Sequence, residues 1–182
     1  DTACPETPRR GPNNEYVWPI YEGYDIYTAP IGGGEPTLLI GGEGYDAEVA
    51  IAFMRSVFCQ ESDSSACDLK FDRLTHADLH FVFPIAANAK VKSKPTSTLF
   101  LEDWRMFVDK TPAGTLFDWY QQIEVENKQG QIGVLDAEEI TQKLSLKSYE
   151  GGWKGVLVWQ ADKLNAAAAN KLLKLVEEPP EK

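Results

Sequence analysis

The clearest hydrophobic pattern in the chain lies between residues 155 and 180. It opens with an unbroken apolar run, Val156 to Trp159, which is typical of a strand covered on both faces in a parallel sheet. Asn165 can cap the helix that follows, and Pro179-Pro180 can end it because proline lacks an amide hydrogen. The apolar positions on one face of that helix are Ala168, Leu172, Leu175 and Val176. The segment predicts a strand, a short connection, a helix and a firm stop.

Two further strands and a helix are predicted upstream of this segment. Thr37 to Ile40 is expected to form the first core strand, and Leu79 to Phe83 another buried strand. A glycine-containing loop follows the first of these strands, and a helix follows the loop. The residues expected to mark the buried face of this helix are Val49, Phe53, Met54, Val57 and Phe58.

The middle of the chain predicts helices. Leu99 to Val108 and Leu116 to Ile123 carry apolar faces, which favours a helical hairpin packed on the edge of the sheet, although a binding surface is an alternative. Their expected face residues are Phe100, Trp104, Phe107, Phe117, Tyr120 and Ile123. A further helix is expected to start with a capping box at Asp136, to continue through Leu146 and to close at Gly151-Gly152.

Residues 1–35 have no helical period and are rich in proline, glycine and tyrosine. Tyr16 to Ile20 and Tyr24 to Tyr27 could form short strands. We expect an irregular extension here and derive no function from it.

Composition limits the classes of function. The chain has 182 residues, 43% of them hydrophobic, which suffices for one domain with a real core. Its net charge of −10 argues against tight binding of nucleic acid by the chain alone. No apolar run approaches the length of a membrane span, and the first residues lack the apolar segment of a signal peptide. Three cysteines make no even set of disulfides, so a cytoplasmic location is expected.

The run AAANKLLKLVEEPP resembles the segment that follows the Walker B strand in AAA+ clamp-loader subunits of bacterial DNA polymerase III, and among them the delta-prime type. The resemblance extends over about residues 37–182 and is strongest from residue 132 onward. It implies an α/β fold with a three-layer, mostly parallel sheet like the AAA+ P-loop core. The implied domain is residues 36–182, incomplete at its C-terminus, with a helical insertion at about 97–129.

The loop after the first core strand stands where a phosphate-binding loop would lie. Aligned with the pattern G-x-x-x-x-G-K-[ST], the match begins at Gly41, and Gly44 falls inside it. Asp46 then replaces the second glycine, Ala47 the lysine, and Glu48 the hydroxyl that binds magnesium. Added carboxylates would repel a triphosphate, so this loop is not expected to bind ATP productively. The resemblance implies the same, since delta-prime subunits commonly keep the fold without nucleotide binding.

The end of the Walker B strand is degenerate as well. An active ATPase places Asp-Glu there, to hold magnesium and activate water. Trp159 and Gln160 occupy these positions, and Asp162, two or three residues further on, is expected to be an ordinary turn residue.

A zinc module of four cysteines would follow the first helix in the family, and only Cys59 and Cys67 remain of it. Two thiols cannot complete a tetrahedral site. His76 and His80 could in principle complete a set, but we expect two ordinary thiols, no metal, and a turn hydrogen bond at His76.

Three hypotheses follow. The first is an ATPase-dead scaffold of the clamp loader without a cofactor, whose partners are the motor ATPase subunits and delta, and which meets DNA only through the complex and no membrane. The second is an active P-loop nucleotide hydrolase with unusual site residues. The third is an interaction module unrelated to replication. The resemblance also implies that a sensor strand and an S-R-C motif follow downstream of Lys182, so that this chain is expected to be a fragment.

Overall fold

A computed structural model describes residues 9–10, 16–17, 40–41, 46–59, 64–111, 113–125, 128–150 and 152–177. Its strands are β1 (Arg9–Arg10), β2 (Tyr16–Val17), β3 (Ile40–Gly41), β4 (Leu79–Val82) and β5 (Gly155–Trp159). Its helices are α1 (Asp46–Phe58), α2 (Ser64–Asp72), α3 (Leu101–Lys110), α4 (Leu116–Gln122), α5 (Val134–Ser145) and α6 (Ala166–Glu177). Two 3-10 turns add Ser97–Phe100 and Ala161–Lys163. The chain is therefore an α/β protein.

The main sheet has three parallel strands in the order β3-β5-β4. The apolar run Val156 to Trp159 lies in its central strand, β5, as the sequence predicts. Gly155 pairs with Leu79, and Val158 pairs with Val82 on one side and Ile40 on the other. Parallel strands need crossover connections, which here are helical on both sides of β4 in the chain.

The two faces of this sheet are buried in two separate hydrophobic clusters. One cluster receives Phe81, Leu157 and Trp159 and continues into α1, α3 and α4. The other receives Val82 and Val158 together with residues of α5 and α6. Burial on both sides explains why the strands read as continuous apolar runs rather than as an alternating pattern.

Helix α1 forms where the sequence predicts it, and Met54 and Phe58 of the predicted face contact the core, but the rest of the buried face differs. Val49 is 57% exposed and Phe53 is 40% exposed, so the prediction that they face the core is wrong. The residues that contact the main cluster are Ala47, Ala50, Ile51, Met54 and Phe58, spaced at i, i+3, i+4, i+7 and i+11. The helix is apolar around most of its circumference, so periodicity alone does not choose between the two stripes.

Helix α1 approaches β5 closely at Gly155. A Cβ atom added at Gly155 would clash with the terminal methyl carbon of Met54 and would lie 3.0 Å from the Phe58 ring. A larger residue there would require both side chains to move.

The insertion forms the two predicted helices, and they pack in the core. Phe100, Trp104 and Phe107 are buried as predicted. Phe117, by contrast, is 67% exposed, and Trp119 is fully buried in its place. The Thr115–Asp118 capping box sets the start of α4, which turns Trp119 rather than Phe117 toward the sheet.

Helix α5 begins three residues earlier than predicted. Gly133 is the N-cap, and its N–H donates to the Asp136 carboxylate at 3.1 Å, so Asp136 is the third helical residue and not the cap. Asp136 also accepts from the Ser97 N–H at 2.7 Å, a tertiary contact that fixes this register. The helix ends at Ser145, and Leu146 beyond it is 68% exposed.

Helix α6 begins as the sequence predicts. The Asn165 side chain accepts from the Ala168 N–H at 2.8 Å, Ala168 is fully buried and Leu175 is 9% exposed. Near the N-terminus, β2 confirms part of the strand predicted at Tyr16 to Ile20 and pairs antiparallel with β1. The predictions for residues 24–27, 37–39 and 178–182 lie outside the described residues.

The prediction of two free thiols at Cys59 and Cys67 is wrong, because the two residues form a disulfide that joins the end of α1 to α2. The two Cα atoms are 5.7 Å apart, a spacing that helix packing and not sequence separation determines. The disulfide also removes the cysteine argument for a reducing compartment.

Breaking this disulfide is expected to lower the free energy of unfolding by about 2 kcal/mol, since it closes a short loop in the unfolded chain. Urea titration of the oxidised chain with and without dithiothreitol measures the difference. A Cys59→Ser/Cys67→Ser variant should no longer respond to the reductant, whereas Cys4→Ser should respond like the parent. An oxidised parent whose midpoint ignores dithiothreitol would contradict the prediction.

Candidate functional site

The positions at which the sequence analysis expects a phosphate loop and the end of a Walker B strand lie side by side at the carboxyl end of the parallel sheet. Gly41 pairs with Trp159, so the start of the glycine loop adjoins the end of β5. In doubly wound α/β sheets, ligands bind at this end of the strands. Residues 42–45, which include Gly44, lie outside the described residues. The candidate site is therefore defined by β3, the first turn of α1 and the end of β5.

The first turn of α1 offers no cation to a phosphate. The helix begins at Asp46, and Ala47 is 9% exposed because its methyl group belongs to the main hydrophobic cluster. Glu48, the next residue, is partly exposed. An anion at a helix N-terminus is stabilised by the helix dipole, but the sequence places acidic residues in this turn, and their charge opposes a bound phosphate.

The end of β5 is occupied by an aromatic core. Trp159 is 1% exposed, and its ring centroid lies 5.2 Å from that of Trp104 and 5.7 Å from that of Phe107. Within the described part of the chain its indole Nε1 has no hydrogen-bond partner. Helix α3 thus packs over Trp159, the position at which the sequence analysis expects an active ATPase to place a carboxylate.

The residues after Trp159 do not replace that carboxylate. Gln160 is 4% exposed and adopts left-handed backbone angles (φ 57°, ψ 58°), which turn the chain into the following 3-10 turn. Asp162 is exposed and pairs with the adjacent Lys163. An exposed pair of this kind contributes little to stability or chemistry.

Where the structure describes them, the histidines and cysteines are not grouped as a metal site. Within the described residues no group of three or more His, Cys, Asp or Glu side chains is placed to hold a metal ion. Nδ1 of His76 accepts from the Asp78 N–H at 3.3 Å, which confirms the turn hydrogen bond that the sequence predicts. Burial against Phe58 and Phe71 lowers the pKa of His76.

Asp78 organises the segment before β5, a role that the sequence analysis missed. Its carboxylate accepts from Ser148 Oγ at 2.9 Å, from the Tyr149 N–H at 2.8 Å and from the Glu150 N–H at 2.9 Å. Its backbone carbonyl accepts from the Gly155 N–H at 2.9 Å. A buried acid placed directly before a predicted strand was the available signal, because such a carboxylate needs several donors.

A cleft of about 200 Å³, also missed, lies beside β4. The residues that line it are Leu74, Thr75, His76, Ala77, Leu79, His80, Phe81, Thr98, Leu101, Arg105 and Lys143. Burial, followed by the nearby charges of Lys143 and Lys154, lowers the pKa of His80 to about 4, so its imidazole is neutral at pH 7. No single stretch of sequence contains this cleft, since it draws on the segment before β4, β4 itself, α3 and α5.

No helix within the described residues is long and apolar enough to cross a membrane.

Comparison with known proteins shows which family the chain resembles. The model of a family described as "DNA polymerase III, delta subunit" matches residues 35–182. A protein named DNA polymerase III subunit delta' from Yersinia pestis is 43% identical over 70 residues, which is 38% of this chain and 20% of that protein. Its namesake from Escherichia coli strain K12 is 44% identical over 68 residues, 37% of this chain and 20% of that protein. No solved structure matches the chain. The matched stretch spans about a fifth of these curated relatives.

Proposed function

The chain belongs to the DNA polymerase III delta subunit family, and from this premise we propose that it is a non-catalytic subunit of the bacterial clamp loader. In this proposal it acts as a rigid scaffold in DNA replication, while neighbouring subunits hydrolyse ATP. The observation that supports it best is Trp159, which fills the end of the Walker B strand with a buried indole.

Two contacts support the absence of nucleotide hydrolysis. A lysine in place of Ala47 would have to leave the hydrophobic cluster in which the alanine methyl lies. A carboxylate in place of Trp159 would face Trp104 and Phe107, where ionisation costs several kilocalories per mole. Both changes conflict with the packing of the insertion, so the same residues that stabilise the fold oppose catalysis.

The proposal includes a domain arrangement. Residues 1–35 are an N-terminal extension, and residues 36–182 form the AAA+-like domain with a helical insertion at about 97–129. We infer a three-layer core, because the two sheet faces bury separate clusters of helix residues. The motor ATPase subunits and delta would be the partners, with DNA contacted through the complex. The cytoplasmic location rests on the family alone, since the cysteines no longer support it.

Titration calorimetry with MgATP tests the missing nucleotide site. No saturable heat is expected up to about 1 mM ATP, because the described part of the site offers acidic and apolar groups where a triphosphate needs a cation. Saturable binding that is lost when Glu48 is replaced by alanine would contradict the proposal and favour an active hydrolase.

Co-purification tests the scaffold itself. The chain, expressed with the clamp-loader motor subunits and delta, is expected to elute with them as one complex. A Trp153→Ala variant, at an indole that is 43% exposed, is a matched surface control for changes in the core. Elution of the folded chain apart from the other subunits would contradict the proposal and favour an interaction module with another partner.

A further inference from the structure

The outer edge of β4 is unpaired within the described residues. β4 is the last strand of the order β3-β5-β4. The Gly155 N–H donates to the carbonyl of Asp78, so the backbone groups of residues 78, 80 and 82 point toward β5. By the same alternation, the backbone groups of residues 79, 81 and 83 point to the open edge.

The ends of this open edge are satisfied internally, but its centre is not. The Leu79 N–H donates to the His76 carbonyl at 3.2 Å. Both backbone groups of Phe83 bond to Ser97 Oγ, each at 3.2 Å. Between them, the N–H and C=O of Phe81 point to the outer edge by the same alternation, and among the described residues no backbone bond outside the strand ladder satisfies them. The N–H and C=O of Phe81 therefore face the open edge. An added strand would pair with such a donor and acceptor.

The cleft that borders this edge has a positive charge in an acidic protein. Of the described residues that line it, Arg105 and Lys143 carry the permanent charges and none is acidic. Arg105 Nη1 pairs with Glu102, whose side chain is 85% exposed, so solvent screens that pair. Lys143 Nζ donates to Thr98 Oγ1 at 3.0 Å, and this hydroxyl donates to Glu139 Oε2 at 2.6 Å. The Thr98 hydroxyl therefore lies between the carboxylate of Glu139 and the ammonium group of Lys143.

We propose that this edge and cleft bind an extended peptide segment of a partner protein, which pairs with the backbone of Phe81 and places an Asp or Glu side chain between Arg105 and Lys143. The backbone groups supply affinity that does not depend on sequence, and the two cations select the acidic side chain. The cleft volume is several times the roughly 30 Å³ that one water occupies in the liquid, which leaves room for a carboxylate.

A peptide accounts for more of the site than a small anion does. A phosphate or acetate ion would use the two cations but would leave the donor and acceptor of Phe81 without a peptide partner. The inference goes beyond the proposed scaffold function and does not depend on it, because it uses only β4, α3 and α5.

The probe for the test is a fluorescein-labelled octapeptide with alternating Val and Thr around a central Glu, compared with the same peptide carrying Gln. We expect the Glu peptide to bind the 182-residue chain at least fivefold more tightly in fluorescence anisotropy at about 50 mM salt. A Lys143→Gln variant should remove this difference. The matched control is Lys147→Gln, at an exposed lysine outside the cleft.

Amide NMR locates the peptide. Hydrogen exchange at the Phe81 N–H is expected to slow at least tenfold when the Glu peptide is present, while the Val82 N–H, which points to β5, should change little. Equal binding of the two peptides, or unchanged exchange at Phe81, would overturn the proposal. So would inorganic phosphate that shifts the Lys143 signals where neither peptide does, since the cleft would then be a small-anion site.

Discussion

Replacing Trp104 by alanine is expected to lower the free energy of unfolding by about 3–5 kcal/mol, the largest effect of any single substitution proposed for this chain. The indole is fully buried and its centroid lies 4.6 Å from Phe83, 5.6 Å from Trp119 and 5.2 Å from Trp159. It thereby joins both insertion helices to the ends of β4 and β5. Truncation removes apolar burial and leaves a cavity that rigid neighbours cannot fill.

Urea unfolding followed by near-ultraviolet circular dichroism measures this loss. Met106→Ala is the matched control, because Met106 lies two residues further along α3 and is 41% exposed. It should cost less than about 1 kcal/mol. Should the two variants have the same unfolding midpoint, the aromatic cluster would not be what attaches the insertion to the sheet.

Replacing Asp78 by alanine is expected to lower the free energy of unfolding by about 2–4 kcal/mol. The substitution leaves the N–H groups of Tyr149 and Glu150 and the Ser148 hydroxyl without their acceptor. The segment that leads into β5 would lose its attachment to β4. Asp78→Asn keeps one acceptor oxygen and should cost less. Similar losses for the Ala and Asn variants would show that the hydrogen bonds are not the cause.

Asp78 also predicts the pH dependence of stability. Burial would raise the pKa of its carboxyl, but the hydrogen bonds from Tyr149, Glu150 and Ser148 outweigh burial and hold the pKa below the ordinary value of 3.8. A depressed folded pKa stabilises the protein above the unfolded pKa, and this contribution is lost as the pH falls through the folded pKa. Below about pH 4, the parent should therefore lose more stability than Asp78→Asn. Parallel acid limbs in urea titrations from pH 5 to pH 2.5 would contradict this.

Helix α1 shows that hydrophobic periodicity can predict a helix without predicting all of its buried face. The sequence predicts the helix and places Met54 and Phe58 correctly on its buried face. Val49 and Phe53 are exposed, and smaller apolar residues of the helix take their place in the core. The same holds for α4, where Trp119 packs against Phe83 and Trp104 while Phe117 is left exposed. In both helices the partner surface, which lies outside the helix, determines the outcome.

In the candidate site, too, some features can be predicted from the sequence and others depend on the tertiary structure. The prediction that acidic and apolar residues replace the Walker lysine and carboxylates comes directly from positions 46–48 and 159–160. That Ala47 and Trp159 are packed into the core, and therefore resist replacement by charged residues, depends on the insertion folding over the sheet. The Cys59–Cys67 disulfide likewise depends on the packing of α2 against α1.

By itself, the sequence determined the central strand and its capped helix and the two helices α3 and α4, because each is encoded in a few neighbouring residues. Only the tertiary structure decided the buried faces of α1 and α4, the disulfide, the hydrogen bonds of Asp78 and the cleft at the edge of β4. These features join residues that are distant in the chain, and their energies arise from contacts that exist only after the elements have packed.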